Sequence, residues 1–138
     1  MAGSQGVDLA VAVSEAGGLG ALPCAMLSPE AMEGEFAALR SRTSRPINVN
    51  FFCHAPPSAD AAHESRWHQA LAPYYREFGL ELDRISGGPG RRPFDDEACD
   101  RLEPFRPEVV SFHFGLPSAA LVRRVKAWGA AVLSTATP

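Results

Sequence analysis

Val109-Val110-Ser111-Phe112-His113-Phe114-Gly115-Leu116-Pro117 alternates apolar and polar side chains and then stops on glycine and proline. Alternation of this kind predicts a strand, with Ser111 and His113 on one face and Val110, Phe112 and Phe114 on the other. A parallel strand covered on both sides would be almost continuously apolar, so each buried polar residue calls for a partner or a task. One face is therefore read as core. The other is free to line a site.

The same pattern recurs upstream. Pro46 precedes Ile47-Asn48-Val49-Asn50-Phe51-Phe52, whose polar face carries Asn48 and Asn50. Leu19 to Cys24 and Ala131 to Thr135 read as two further short strands. Between them lie helical segments. Val7 to Ala16 is apolar on most sides and ends at Gly17-Gly18, a glycine stop. Ser28-Pro29-Glu30 opens a helix with an N-cap serine, a first-turn proline and an acid facing the dipole, and Met32, Phe36 and Leu39 form its apolar stripe. Leu121, Val122, Val125 and Trp128 mark another amphipathic helix, with Arg123, Arg124 and Lys126 outward and Gly129 closing it. This order predicts an α/β fold with about four parallel strands.

Residues 53–107 form a long excursion after the Asn50 strand, punctuated by Ala55-Pro56-Pro57-Ser58 and Gly87-Gly88-Pro89-Gly90. Within it, Trp67, Leu71, Tyr74 or Tyr75, and Phe78 fall at helical spacing and read as packing side chains. Asp95-Asp96-Glu97 opens a second helix that carries Ala98, Leu102 and Phe105 inward.

The length of 138 residues fits one ordinary domain, and a hydrophobic fraction of 46% supports a packed core. A net charge of −3 provides no basic field for nucleic acid or for an anionic membrane surface. No apolar run reaches the roughly 18 residues of a membrane span, and no basic flank precedes an apolar leader. The expectation is a cytoplasmic protein with small-molecule partners. Cys24, Cys53 and Cys99 are odd in number and widely spaced, which fits free thiols in a reducing compartment.

In parallel α/β folds ligands bind at the carboxyl ends of the strands, which singles out Asn50, His113 and the Ser134-Thr135 pair. Asn50 either bonds the edge of a heteroaromatic ring or ties down the following loop. His113 is either an active-site residue or a satisfied buried histidine. His63 and His68 are five residues apart and do not share a helix face as metal ligands would. Met1-Ala2-Gly3-Ser4 precedes a helix N-terminus, where backbone N–H groups can meet an anion or a flavin edge; a simple turn is the other reading.

Met1-Ala2-Gly3, Ala12-Val13-Ser14-Glu15-Ala16-Gly17-Gly18-Leu19-Gly20, Pro46 to Phe51 and Ser111 to Pro117 together resemble the nitronate monooxygenase family, formerly called 2-nitropropane dioxygenases. The resemblance runs nearly end to end. It implies a TIM (β/α)8 barrel that binds FMN without a covalent link and oxidises alkyl nitronates with O2 to a carbonyl compound and nitrite. It also implies that Met1, Ala2, Gly3 and Asn50 contact the flavin and that the catalytic candidate His113 lies near its face.

A whole barrel has about eight strands, so residues 1–138 are read as the N-terminal portion of one. The resemblance puts a strand ahead of Met1, and puts the flavin phosphate loops and a glycine-glycine-histidine segment that holds the family's usual catalytic base after Thr137. The 138 residues alone are therefore expected to be inactive, and unpaired sheet edges predict self-association. Flavin-dependent enoyl-acyl-carrier-protein reductases share much of this barrel pattern. That activity, or a non-catalytic barrel fragment, stands as the alternative.

Overall fold

A computed structural model describes residues 3–56, 58, 60–81 and 91–135. The first sequence candidates, Met1 and Ala2, and the Gly87-Gly88-Pro89-Gly90 stretch lie outside the described residues. The chain divides into two compact units, one formed by 1–55 with 91–138 and the other by 56–90.

The first unit runs α1 (Val7–Glu15), β1 (Gly20–Pro23), α2 (Pro29–Arg40) and β2 (Ile47–Phe52), then resumes with α4 (Asp96–Leu102), β3 (Val109–His113), α5 (Ala119–Ala127) and β4 (Ala131–Ser134). A single 3-10 turn, Glu103–Phe105, follows α4. The four strands form one parallel sheet in the order β1-β2-β3-β4, with Leu22 opposite Val49, Asn50 opposite Ser111 and Val110 opposite Val132. Sequential parallel neighbours joined by helices make a (β/α) barrel wall. The expected α/β class and its about four parallel strands are present.

Local chemistry explains the elements. Ser28 Oγ accepts from Ala31 N–H at 3.2 Å, Asp95 Oδ1 from Ala98 N–H at 2.9 Å and Ser118 Oγ from Leu121 N–H at 3.3 Å, so three helices start on a side-chain cap. Helix α1 starts instead at Gly6 with no such cap. It is held by burial and by Ser14, whose Oγ donates to Pro46 O and accepts from Gly20 N–H, each at 3.1 Å. Gly20 is required there. A Cβ on it would fall 2.0 Å from Ala10 O, closer than any side chain can approach.

The core lies on one face of the sheet. Leu22, Ile47, Val49, Phe51, Val110 and Phe112 meet Val7, Ala10 and Val11 of α1, Met32, Phe36 and Leu39 of α2, Cys99 and Leu102 of α4, and Leu121 and Val125 of α5. The chain re-enters this unit through Phe94, whose ring centroid is 4.7 Å from that of Phe51 and 5.2 Å from that of Phe112. At the amino ends of the strands, Glu108 accepts both Arg40 Nη2 contacts at 2.9 and 3.0 Å and Ile47 N–H at 3.1 Å.

The second unit contains α3 (Ala61–Glu77), capped by Asp60. The helical spacing of Trp67, Leu71, Tyr74 and Phe78 is realised, yet α3 buries none of its residues. Among the described residues of this unit α3 is the one helix, and they offer no second apolar layer to cover such a stripe.

Strand β3 corrects one expectation. Phe114 does not join Val110 and Phe112: its φ is +64°, the strand ends at His113, and the residue is 66% exposed.

Candidate functional site

The face of the sheet turned away from the helices carries Asn48, Asn50 and Phe52 from β2, Ser111 and His113 from β3, and Leu133 from β4. Period-two geometry places them there together because their strand neighbours are the core residues. Asn50 is held by its neighbour strand. Its Nδ2 donates to Ser111 Oγ at 2.8 Å and to Ser111 O at 3.3 Å, and Ser111 Oγ donates in turn to Val49 O at 3.5 Å. Among the described residues Asn50 Oδ1 has no hydrogen-bond partner, so the amide presents an oriented acceptor.

His113 stands opposite Phe52, at the carboxyl end of β3. Its Nδ1 lies 3.3 Å from Thr135 Oγ1, just beyond β4. Thr135 thus anchors one ring nitrogen and leaves the other for chemistry. Ser134, the other member of that pair, hydrogen-bonds Thr135 O at 3.4 Å and does not reach the histidine.

The structure therefore brings Asn50 and His113 to adjacent strands. Gly3, with φ +78°, is at the same end but beside the loop after β1: a Cβ there would lie 3.7 Å from Met26 Sδ. Ser111 is the holder of Asn50, a task invisible in the sequence because it depends on the β2–β3 register. Asn48 is another surprise. Among the described residues its Oδ1 is a buried acceptor without a hydrogen bond, a costly state of roughly 1–3 kcal/mol unless something donates to it.

Aromatic rings border this site. Phe52 packs edge to face with Phe114 at 5.0 Å between centroids, and lies 6.3 Å from His113 and 6.4 Å from His54. The two nearby thiols are chemically quiet. Burial pushes Cys24 up to about 12, and Cys53 is raised to about 11, again chiefly by burial. His68 pairs loosely with Glu64 on α3 at 3.9 Å, and the described residues contain no group of three or more side chains suited to a metal. No helix among them is long and apolar enough to cross a membrane.

The sequence profile of nitronate monooxygenase matches residues 1–138. The chain belongs to the nitronate monooxygenase family. Among curated members, it is 39% identical over 138 residues to nitronate monooxygenase of Pseudomonas aeruginosa, covering 99% of this chain and 39% of that protein. It is 37% identical over 140 residues to that of Paraburkholderia phytofirmans, covering 99% and 38%. The chain thus spans well under half the length of these family members.

Among solved structures, nitroalkane oxidase from Streptomyces ansochromogenes superposes with a TM-score of 0.82 and 33% identity over 99% of this chain and 38% of that one. The FabK structure from Thermotoga maritima gives 0.63 and 24% over 97% and 31%, a likeness of fold alone. The four-stranded sheet is accordingly part of a TIM-barrel wall, and its open polar face is the inward one.

Proposed function

We propose that these residues supply one side of the active site of an FMN-dependent enzyme that oxidises alkyl nitronates with O2. The observation that carries the reading is the family match over residues 1–138, joined to an oriented amide and an anchored imidazole at neighbouring strand ends. In overall balance, two nitronate anions and one O2 give two carbonyl compounds and two nitrite ions. The carbon–nitrogen bond breaks and an oxygen atom takes its place on carbon.

The residues fit a flat heteroaromatic ring. Among the described residues Asn50 Oδ1 accepts no hydrogen bond while its Nδ2 is held by Ser111, and the Phe52 and Phe114 rings bound the polar patch on its apolar side. In this reading Asn50, with Met1, Ala2 and Gly3, holds the edge of the isoalloxazine, and bound FMN supplies the electron acceptor for the nitronate. Ser111 keeps the Asn50 amide from rotating. Thr135 fixes the His113 ring, whose second nitrogen hydrogen-bonds the anionic nitronate or holds a proton beside it. Among the described residues the outer edges of β1 and β4 pair with no further strand, and there other barrel strands, or a second copy, would add.

The test is O2 uptake with an alkyl nitronate by the purified polypeptide containing this segment, after reconstitution with FMN. Nitronate-dependent uptake with nitrite release is expected. Flavin reduction by NAD(P)H without nitronate-driven uptake would instead assign an enoyl reductase activity, and failure to bind FMN at all would leave a non-catalytic barrel piece. FMN titrated into the 138-residue chain, followed by flavin fluorescence, reads how much of the grip lies within these residues.

A further inference from the structure

Phe114 occupies a backbone conformation that a bulky L-residue rarely adopts. Its φ of +64° lies in the left-handed region, where glycine is the usual occupant, although Gly115 stands directly after it. Within these 138 residues Phe114 is 66% exposed. Strain of this sort concentrates at functional sites, where surrounding structure imposes it.

What the conformation accomplishes is a change of side. Continued alternation would send Phe114 into the core with Val110 and Phe112. The positive φ instead sets its ring 5.0 Å from Phe52 and 6.3 Å from His113, both members of the inward face. Phe52 and Phe114 meet edge to face, so together they form an apolar wall one residue from the imidazole.

We infer that Phe114 determines specificity: with Phe52 it receives the hydrocarbon substituent of the substrate while His113 faces the charged end. This assignment rests on the nitronate reading above and adds the substrate class, favouring nitronates with longer or bulkier alkyl groups. A nitronate carries its charge on one end and its alkyl group on the other. An imidazole beside an aromatic wall matches that polarity.

The experiment compares kcat/KM for a series of primary alkyl nitronates of rising chain length, using the FMN-loaded holoenzyme and its Phe114→Gly and Phe114→Leu variants at equal flavin content. The native enzyme is expected to prefer the longer chains. Phe114→Gly should reduce that preference about tenfold, the low end of what one substrate methylene held in a hydrophobic pocket contributes, and Phe114→Leu should fall between. The thermal midpoint of Phe114→Gly should be unchanged or raised, because glycine accepts this φ without strain.

Unaltered selectivity in both variants overturns the assignment whatever the midpoint does. A lowered midpoint with unaltered selectivity identifies Phe114 as a packing residue. A native holoenzyme inert toward every nitronate overturns the proposed function and this role together, whereas an active one with unaltered selectivity in the variants overturns this role alone.

Discussion

Val110 and Phe112 are fully buried, whereas Ser111 and His113, on the opposite face of the same five-residue strand, spend their polar atoms on Asn50, Val49 and Thr135. The helix-covered face gains stability from close packing against four helices. The inward face gains little from packing and holds directional groups in place. Stability and chemistry are thus divided across one sheet, about one side-chain length apart, and substitutions on the two faces should have different signatures.

The largest effect is expected for Phe112→Ala. Truncating a fully buried phenylalanine should cost about 3–5 kcal/mol in denaturant unfolding, enough to threaten folding of a chain this size. Its neighbour His113→Ala should change stability by less than about 1 kcal/mol while lowering kcat/KM for nitronate in the holoenzyme at least tenfold, about the 1–3 kcal/mol of a lost charge-assisted hydrogen bond. Equal destabilisation by the two would erase the division between the faces.

Next in size is Gly20→Ala, which tests how closely α1 rides on β1. The added methyl has no room beside Ala10 O and Ser14 Oγ, so α1 must move; a loss of about 1–3 kcal/mol, read from the urea midpoint, is expected. Gly34→Ala is the control: nothing lies near its Cβ position, and a helix interior favours alanine.

On the inward face, Ser111→Ala and Asn48→Val should move stability in opposite directions. Loss of Ser111 Oγ strips Asn50 of its shorter hydrogen bond and should cost about 1 kcal/mol, with weaker flavin retention. Asn48→Val removes a buried acceptor that lacks a donor and should be neutral or stabilising by about 1 kcal/mol. Clear destabilisation by Asn48→Val would mean that the amide is satisfied.

The smallest effect is electrostatic and sits at the amino ends of the strands. Burial alone would raise the Glu108 carboxyl, but hydrogen bonds from the Arg40 guanidinium, its own N–H and Ile47 N–H outweigh it and hold it below its ordinary value. A carboxyl lowered in the folded state stabilises above the unfolded value of about 4.5 and loses that contribution as pH falls through the folded one. The stability gap between native chain and Glu108→Gln, measured by urea midpoints, should accordingly be full at pH 7 and close only as pH falls below 4.5 and through the lower folded-state value. A pH-independent gap would show that the carboxylate charge contributes nothing.

Several features were readable before any coordinates. Ser28-Pro29-Glu30 announced a helix start, and the Ile47–Phe52 alternation announced both a strand and its two faces, because capping and period two are local properties. Asn50 and His113 stood out for the same reason, as polar residues late in strands. Ser111 as the clamp on Asn50, and Thr135 as the clamp on His113, could not be read this way, since each depends on the register of two strands distant in sequence. The stripe on α3 shows the converse: Trp67, Tyr74 and Phe78 have a helical period, but period alone does not supply a surface to cover them.

By itself, then, the sequence determined the alternation of helices and strands, the core residues of β2 and of β3 as far as Phe112, and the family of the chain, all of which rest on short-range spacing. Only the tertiary structure decided that Phe114 leaves the core side to stand beside His113, that Asn50 is locked by Ser111, and that Asn48 holds an unanswered acceptor. Those outcomes come from one backbone angle and from strand register, which fix where neighbouring side chains meet and leave no periodic trace in the residues themselves.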